Sequence, residues 1–317
     1  MNPYWGANFF QFFATFFERL IHGTLFFSPE ADELQMGVLA LVALSCGLIA
    51  PFLVLKRMTM FANALSHTLL FGIVTAFLLS SSFWGATLFD PSTLLIGALV
   101  AAFLTAFLTE GAVRLFRLQA EGSVGLIFSL LFALGVILAT LFTKNVHLGV
   151  EVVLGNADAL QPSDLSLVGY WSCVQLALIL LFFRPLQIAA FDRLFAAALG
   201  IRPLLFHFLL LFLTAGICVS AFRAVGVLLV LSFLTGPYLI ARLFSHRLSH
   251  LLFFSSAIGV VLSIFGIALS RHFLSTYQLP LSTGGIVVSL IGCTYLIGVV
   301  FRSIRRKTAD SANFKYN

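Results

Sequence analysis

The chain has 317 residues, of which 60% are hydrophobic and 9% are charged, and its mean hydropathy is +1.07. Soluble domains carry about 25% charged residues, so this composition excludes a soluble globular protein and indicates a membrane protein. The formal net charge is +6, and its meaning depends on where the basic residues lie along the chain.

The first apolar segment, residues 9–27, is interrupted by Glu18, Arg19 and His22. It is either a tenth membrane span or a helix that lies in the membrane interface. We therefore separate residues 1–33 as an N-terminal extension with an apolar segment.

Nine further segments are long enough to cross a bilayer, which needs about 20 mostly apolar residues. They lack the two-residue alternation of a membrane barrel, and a helix satisfies its own backbone polar groups. The sequence therefore predicts an all-α fold, a polytopic transmembrane helical bundle over residues 34–301 followed by a basic tail over 302–317. The predicted spans are 34–55, 61–80, 92–112, 124–143, 166–183, 204–222, 225–243, 251–270 and 282–301.

Lysine and arginine gather on the cytoplasmic side of membrane proteins. Alternate loops place fourteen of the 18 basic residues on the side of the C-terminal tail and three on the other side, with Arg19 unassigned. The sequence therefore predicts a cytoplasmic C-terminus. This topology accounts for the net positive charge without a nucleic-acid partner, and we expect the basic tail to contact membrane lipid.

The second predicted span carries Asn63 and His67, four residues apart and therefore on one helical face. Polar side chains inside a span usually face an internal cavity, where an amide oxygen and an imidazole nitrogen can meet one cation. The alternative is that both only bond to neighbouring helices. His207, in a later span, is expected to have a backbone or side-chain partner.

Two loops are long enough to do more than connect spans. The external loop 144–165 contains Glu151, Asn156 and Asp158, which we interpret as a docking surface or gate at the outer mouth, the alternative being an ordinary solvated loop. The cytoplasmic loop 184–203 is alanine-rich, which favours a short helix that could fit a groove in another protein. The docking residues in that loop are Phe191, Asp192, Ala197, Ala198 and Gly200.

Several motifs occur in the same order as in one known family. The chain resembles the membrane permease subunits of the ATP-binding-cassette importers for manganese, zinc and iron. The similarity covers residues 34–301, and it departs at Asn63, where the family has aspartate, and at Tyr238-Leu239, where the family has small residues. The matching motifs are residues 57–68, 121–129, 154–156, 191–200, 224–230, 235–237 and 241–242.

This resemblance implies a metal importer in the bacterial cytoplasmic membrane. Two permeases, the same or paralogous, would form the pore, with two cytoplasmic ATP-binding subunits and an external metal-binding protein. The chain would be a transport subunit and not an enzyme. Since it has no Gly-x-x-x-x-Gly-Lys-Ser/Thr phosphate loop, the chain would bind no cofactor. The ATP-binding partner would use the ATP. The transported divalent metal would pass Asn63 and His67 at a transient pore site.

The replacement of aspartate by Asn63 bears on how that pore site would work. A divalent ion in a low dielectric needs negative charge or several good donor atoms. Asn63 and His67 together offer no negative charge and only two donor atoms. Either binding is weak, which suits release, or a partner permease supplies a carboxylate.

The alternative function is a self-contained ion-coupled secondary transporter or channel. Such a protein would usually need intramembrane carboxylates, and the only candidate, Glu110, lies at a span edge. The choice among the three metals stays open.

Overall fold

The computed structural model describes residues 3–23, 30–84, 91–143 and 157–314. All regular structure in these ranges is helical, and nine of the helices are long and apolar enough to cross a membrane. Both the all-α class and the nine predicted spans are therefore confirmed. The helices are α1 (Phe9–Ile21), α2 (Ala31–Leu55), α3 (Thr59–Trp84), α4 (Pro91–Leu115), α5 (Ala120–Leu138, extended by a π-helical turn Ala139–Thr143), α6 (Pro162–Leu181), α7 (Phe183–Phe191), α8 (Arg193–Ala198), α9 (Pro203–Val225), α10 (Val227–Phe244), α11 (Leu248–Tyr277) and α12 (Thr283–Phe314).

Helix α1 is a short helix that packs against the side of the bundle. Its 13 residues extend about 20 Å, less than the hydrocarbon core of roughly 30 Å. Phe12 is buried, and the Phe9 and Phe13 rings lie 6.0 and 5.7 Å from the ring of Phe265 on α11. Of the two alternatives for this segment, the described residues therefore have the short, non-spanning helix.

Helix α2 forms the centre of the bundle and packs closely on α11. A Cβ added at Gly47 would lie 2.5 Å from the Cα of Ser256, so the two backbones touch. The Ser255 hydroxyl donates to the Gly47 carbonyl at 2.6 Å, and the Ser256 hydroxyl donates to the Leu44 carbonyl at 3.1 Å. Small residues that allow close backbone approach are a common means of holding helices together in a membrane.

Helices α3, α4 and α5 form a second packing unit beside this centre. Gly72 of α3 meets the backbone of Gly97 on α4, with no room for a side chain at either position. On the other side of α3, a Cβ at Gly135 of α5 would lie 2.8 Å from the Phe71 nitrogen. These contacts fix the two neighbours of the helix that carries Asn63 and His67.

The bundle has two ends, which we name after the short helices lying there. The α1 end holds the N-terminus of α2, and the α8 end holds Lys56 and the turn into α3. At the α8 end, the predicted short helix is present as α8, and Gly200 terminates it with φ of +77°. Helix α12 runs on to Phe314, so most of the predicted tail 302–317 continues this helix.

Candidate functional site

Asn63 and His67 lie on one face of α3, and the His67 ring contacts two aromatic rings of α5. The His67 ring stacks on Phe128 with centroids 5.5 Å apart, and it meets the edge of Phe132 at 5.4 Å. Both polar residues are partly buried. Their four-residue spacing thus gives the shared face that the sequence predicts, while the aromatic wall around His67 had no signal in the sequence.

The two side chains make only part of a metal ligand set. His67 can offer one nitrogen and Asn63 one neutral oxygen, whereas divalent metals take about four ligands (zinc) to about eight (calcium). Among the described residues, no group of three or more His, Cys, Asp or Glu side chains could hold a metal ion. Any complete site at this pair needs donors other than the His, Cys, Asp and Glu side chains of the described residues.

A cavity of about 70 Å³, lined by both charged and apolar side chains, lies at the α8 end, between α3, α4, α5 and α9. At its edge, the Glu110 carboxylate of α4 lies 2.9 Å from Nε2 of His207 on α9 and accepts a hydrogen bond from Arg114 at 2.8 Å. The expectation that His207 has a partner is therefore confirmed. The Glu110 partner was not predictable, because nearly a hundred residues separate the two side chains.

Three buried polar atoms around this cavity have no hydrogen-bond partner among the described residues. They are Nζ of Lys56, Oγ1 of Thr109 and Nδ1 of His207. Burial and the nearby positive charge of Arg193 lower the pKa of the Lys56 amine to about 8. An unpaired buried polar group costs roughly 1–3 kcal/mol, so three such atoms in one place are unusual for a purely structural region.

Helix α8 presents an apolar surface beside this cavity. The Asp192 carboxylate caps the helix by accepting from the backbone N–H groups of Leu194 and Phe195 at 2.8 and 3.1 Å. Ala196 faces inward and is fully buried, whereas Leu194 and Phe195 are 84% and 56% exposed. The predicted docking residues Phe191, Asp192, Ala197, Ala198 and Gly200 are all exposed on this segment.

At the α1 end, Asp158 lines a cavity of about 410 Å³. Its carboxylate accepts hydrogen bonds from the Gln35 amide at 3.0 Å and from the Thr283 hydroxyl at 2.5 Å. Asp158 therefore joins α2 to α12 at the cavity rim. The other two residues predicted at the outer mouth, Glu151 and Asn156, lie outside the described residues.

Comparison with known proteins gives matches along nearly the whole chain. Residues 33–302 match the ABC 3 transport family. A probable metal transport system membrane protein of Chlamydia muridarum is 38% identical over 307 residues, covering 96% of each chain. The manganese transport system membrane protein MntD of Bacillus subtilis is 35% identical over 287 residues, covering 86% of this chain and 92% of the relative. The solved structure of PsaBC from Streptococcus pneumoniae in complex with Fab superposes with a TM-score of 0.70 at 25% identity, covering 90% of this chain and 95% of that chain.

Proposed function

The chain belongs to the ABC 3 transport family, and from that premise we propose that it is the permease subunit of an importer that moves a divalent transition metal across the bacterial cytoplasmic membrane. The observation that carries the proposal is the similarity along almost the whole chain to proteins named for metal transport, one of them for manganese. Manganese is therefore the first metal to test, with zinc and iron beside it.

The distribution of charge supports an orientation with the α8 end in the cytoplasm. Lys56, Arg57, Arg114, Arg184 and Arg193 all lie at that end, as expected for the cytoplasmic side of a membrane protein. The same orientation puts the C-terminus of α12 inside the cell and the α1 end outside. Asp158 then borders the outer mouth, where an external metal-binding protein would deliver the ion.

The exposed apolar surface of α8 supports docking of a cytoplasmic ATP-binding subunit. In this proposal the chain itself binds no cofactor, and the partner hydrolyses ATP. Asp192 caps the start of α8 and Gly200 ends it. The helix can therefore move as one rigid element when the ATP-binding subunit moves. The apolar groove between α4 and α9, with Phe103 and Phe107 exposed on its wall, can accommodate membrane lipid.

At the pore, a second permease would complete the ligand set that Asn63 and His67 begin. Two copies facing each other would bring two imidazole nitrogens and two amide oxygens to one ion, and a paralogue could bring a carboxylate instead. Without negative charge such a site binds a divalent ion weakly in a low dielectric. Weak binding favours passage, because conduction requires that an ion can leave its site.

The test is metal uptake by cells that make pore variants at equal membrane abundance. His67→Ala removes the stronger donor of the pair, so we expect uptake of radioactive manganese to fall at least roughly tenfold. Asn63→Asp adds a carboxylate, so the metal concentration for half-maximal uptake should fall while the maximal rate drops. The matched control is His250→Ala, an exposed histidine at the α8 end. Wild-type uptake of manganese, zinc and iron by His67→Ala would contradict the pore assignment.

A further inference from the structure

The groove between α4 and α9 has a volume of about 540 Å³ and an exposed rim. All the residues that line it are alanine, valine, leucine or phenylalanine. On the α4 side of the rim, Val100, Phe103 and Phe107 are 60–61% exposed. Because these side chains offer a ligand no hydrogen-bond partner, the groove suits a hydrocarbon chain.

The α4 wall of the groove leads to an arginine at the α8 end. Arg114 follows Phe107 by seven residues, which returns it to the same face of α4 about 10 Å further along the axis. The Arg114 side chain is 57% exposed, and its Nε donates to Glu110 at 2.8 Å. A guanidinium has several further N–H donors, so Arg114 can also donate to a phosphate.

The cavity at the α8 end adds positive charge beside this point. Ala106 and Leu211 line both the groove and the cavity, so the two spaces adjoin. Together with Arg114, four basic side chains stand against two carboxylates, and one of these, Glu110, is already bonded to Arg114 and His207. The net positive charge favours an anionic ligand. The charged side chains that line the cavity are Lys56, Arg57, Arg193, Glu110 and Glu121.

The spacing between the groove and Arg114 fits one lipid molecule. The hydrocarbon core is about 30 Å thick, so an acyl chain reaches about 15 Å from its headgroup, or about ten residues along a helix. From Arg114 that distance ends near Leu104, and the α4 wall of the groove extends from Leu99 to Phe107. A phosphate at Arg114 and a hydrocarbon chain in the groove can therefore belong to the same molecule.

We propose that the seam between α4 and α9 binds an anionic phospholipid of the leaflet at the α8 end, with its phosphate at Arg114 and one acyl chain in the groove. Basic pockets between spans on the cytoplasmic side are places where anionic headgroups bind, which agrees with the proposed orientation. Since α4 belongs to the α3–α5 unit and α9 packs on α2, the lipid would bridge the two packing units.

Two variants separate the headgroup from the acyl chain. Arg114→Gln removes the positive charge, while the glutamine amide can still donate to Glu110. Its control is Arg117→Gln, which removes the same charge from an exposed residue beyond the end of α4. Phe107→Ala removes part of the groove wall. Its control is Phe301→Ala on α12, where the ring is 64% exposed and lies outside the groove.

The experiment titrates the purified full chain in detergent with phosphatidylglycerol or phosphatidylcholine and measures the dissociation constant of the first bound lipid by native mass spectrometry. We expect the anionic lipid to bind at least roughly fivefold more tightly than the zwitterionic one. Arg114→Gln should weaken phosphatidylglycerol binding about tenfold, because a charge-assisted hydrogen bond is lost. Phe107→Ala should weaken it about threefold through lost apolar contact. Both controls should bind like the wild type.

Three results would overturn the site. They are equal affinity of the wild type for both lipids, equal binding by Arg114→Gln and Arg117→Gln, and displacement of phosphatidylglycerol by inorganic phosphate, which would assign the basic end to a free anion. Neither metal nor ATP takes part in the measurement, so its failure would leave the proposed transport function untouched.

Discussion

At the α1 end the buried acidic groups are paired, whereas at the α8 end several buried polar atoms have no partner among the described residues. Glu33, with a fully buried side chain, accepts from Arg19 at 2.5 Å and from the Tyr4 hydroxyl at 2.8 Å, and burial with this carboxylate raises the pKa of Tyr4. Asp32 pairs with Arg271. Unpaired buried groups cost stability, so the α8 end gives up stability that the α1 end keeps. The less satisfied end is the one at which we propose that a partner subunit docks.

The largest effect should come from adding a charge to the apolar surface of the α8 end. Ala198→Glu places a carboxylate on exposed α8, where a docked ATP-binding subunit would have to desolvate it. We expect metal uptake to fall more than roughly tenfold and the subunit to co-purify poorly, since an unpaired buried charge costs several kcal/mol. Uptake and co-purification are the measurements.

Leu279→Glu is the control for that change, because it adds the same charge at the α1 end on a residue that is 50% exposed. It should leave co-purification of the ATP-binding subunit unchanged. Equal co-purification of both variants at the wild-type level would mean that α8 is not the docking element.

An intermediate effect on stability is expected from breaking the ion pair at the α1 end. Glu33→Ala leaves Arg19 and Tyr4 without their shared acceptor, which should lower the free energy of unfolding by about 3–5 kcal/mol. Titration with sodium dodecyl sulfate in mixed micelles would measure it. Glu18→Ala, which removes an exposed carboxylate of α1 beside Arg19, should stay within about 0.5 kcal/mol of the wild type. An equally small change in Glu33→Ala would show that the α1 end is not held by this pair.

The smallest effect is expected at Lys56. The pKa of its amine is about 8 in the folded protein, below the value of about 10.4 for an unfolded lysine. Between these values the unfolded chain binds a proton that the folded chain lacks, so stability rises with pH across this window and the full cost of the buried charge is present below it. Lys56→Met should abolish this rise, which amounts to less than about 1 kcal/mol for a residue that as a whole is only partly buried.

Unfolding midpoints at about pH 7 and about pH 10 would measure the effect, because these values span most of the titration window. Arg57→Met, at the exposed neighbouring residue, is the control and should keep the wild-type pH dependence. A rise with pH that persists unchanged in Lys56→Met would assign it to another group.

The fold was largely predictable because long apolar runs can only be membrane helices. The ends of the helices were less predictable, since α12 continues past 301 to Phe314 with polar residues that do not interrupt a helix once it leaves the lipid. The shared face of Asn63 and His67 followed from their spacing. The contact between Glu110 and His207 did not, because no periodicity relates residues so far apart, and the burial of the Lys56 amine depends on packing between four helices. The assignment of metal and docking residues remains a prediction.

The contact between Gly47 and Ser256 has a mechanical consequence. Two helices whose backbones touch cannot slide or tilt against each other without atoms colliding. We therefore expect α2 and α11 to move as one rigid pair. Alternating access needs some part of the molecule to stay still while another part rocks. We expect α2 and α11 to stay in place while α3, α4 and α5 tilt. This tilt would open the site at Asn63 and His67 to one side of the membrane and then to the other.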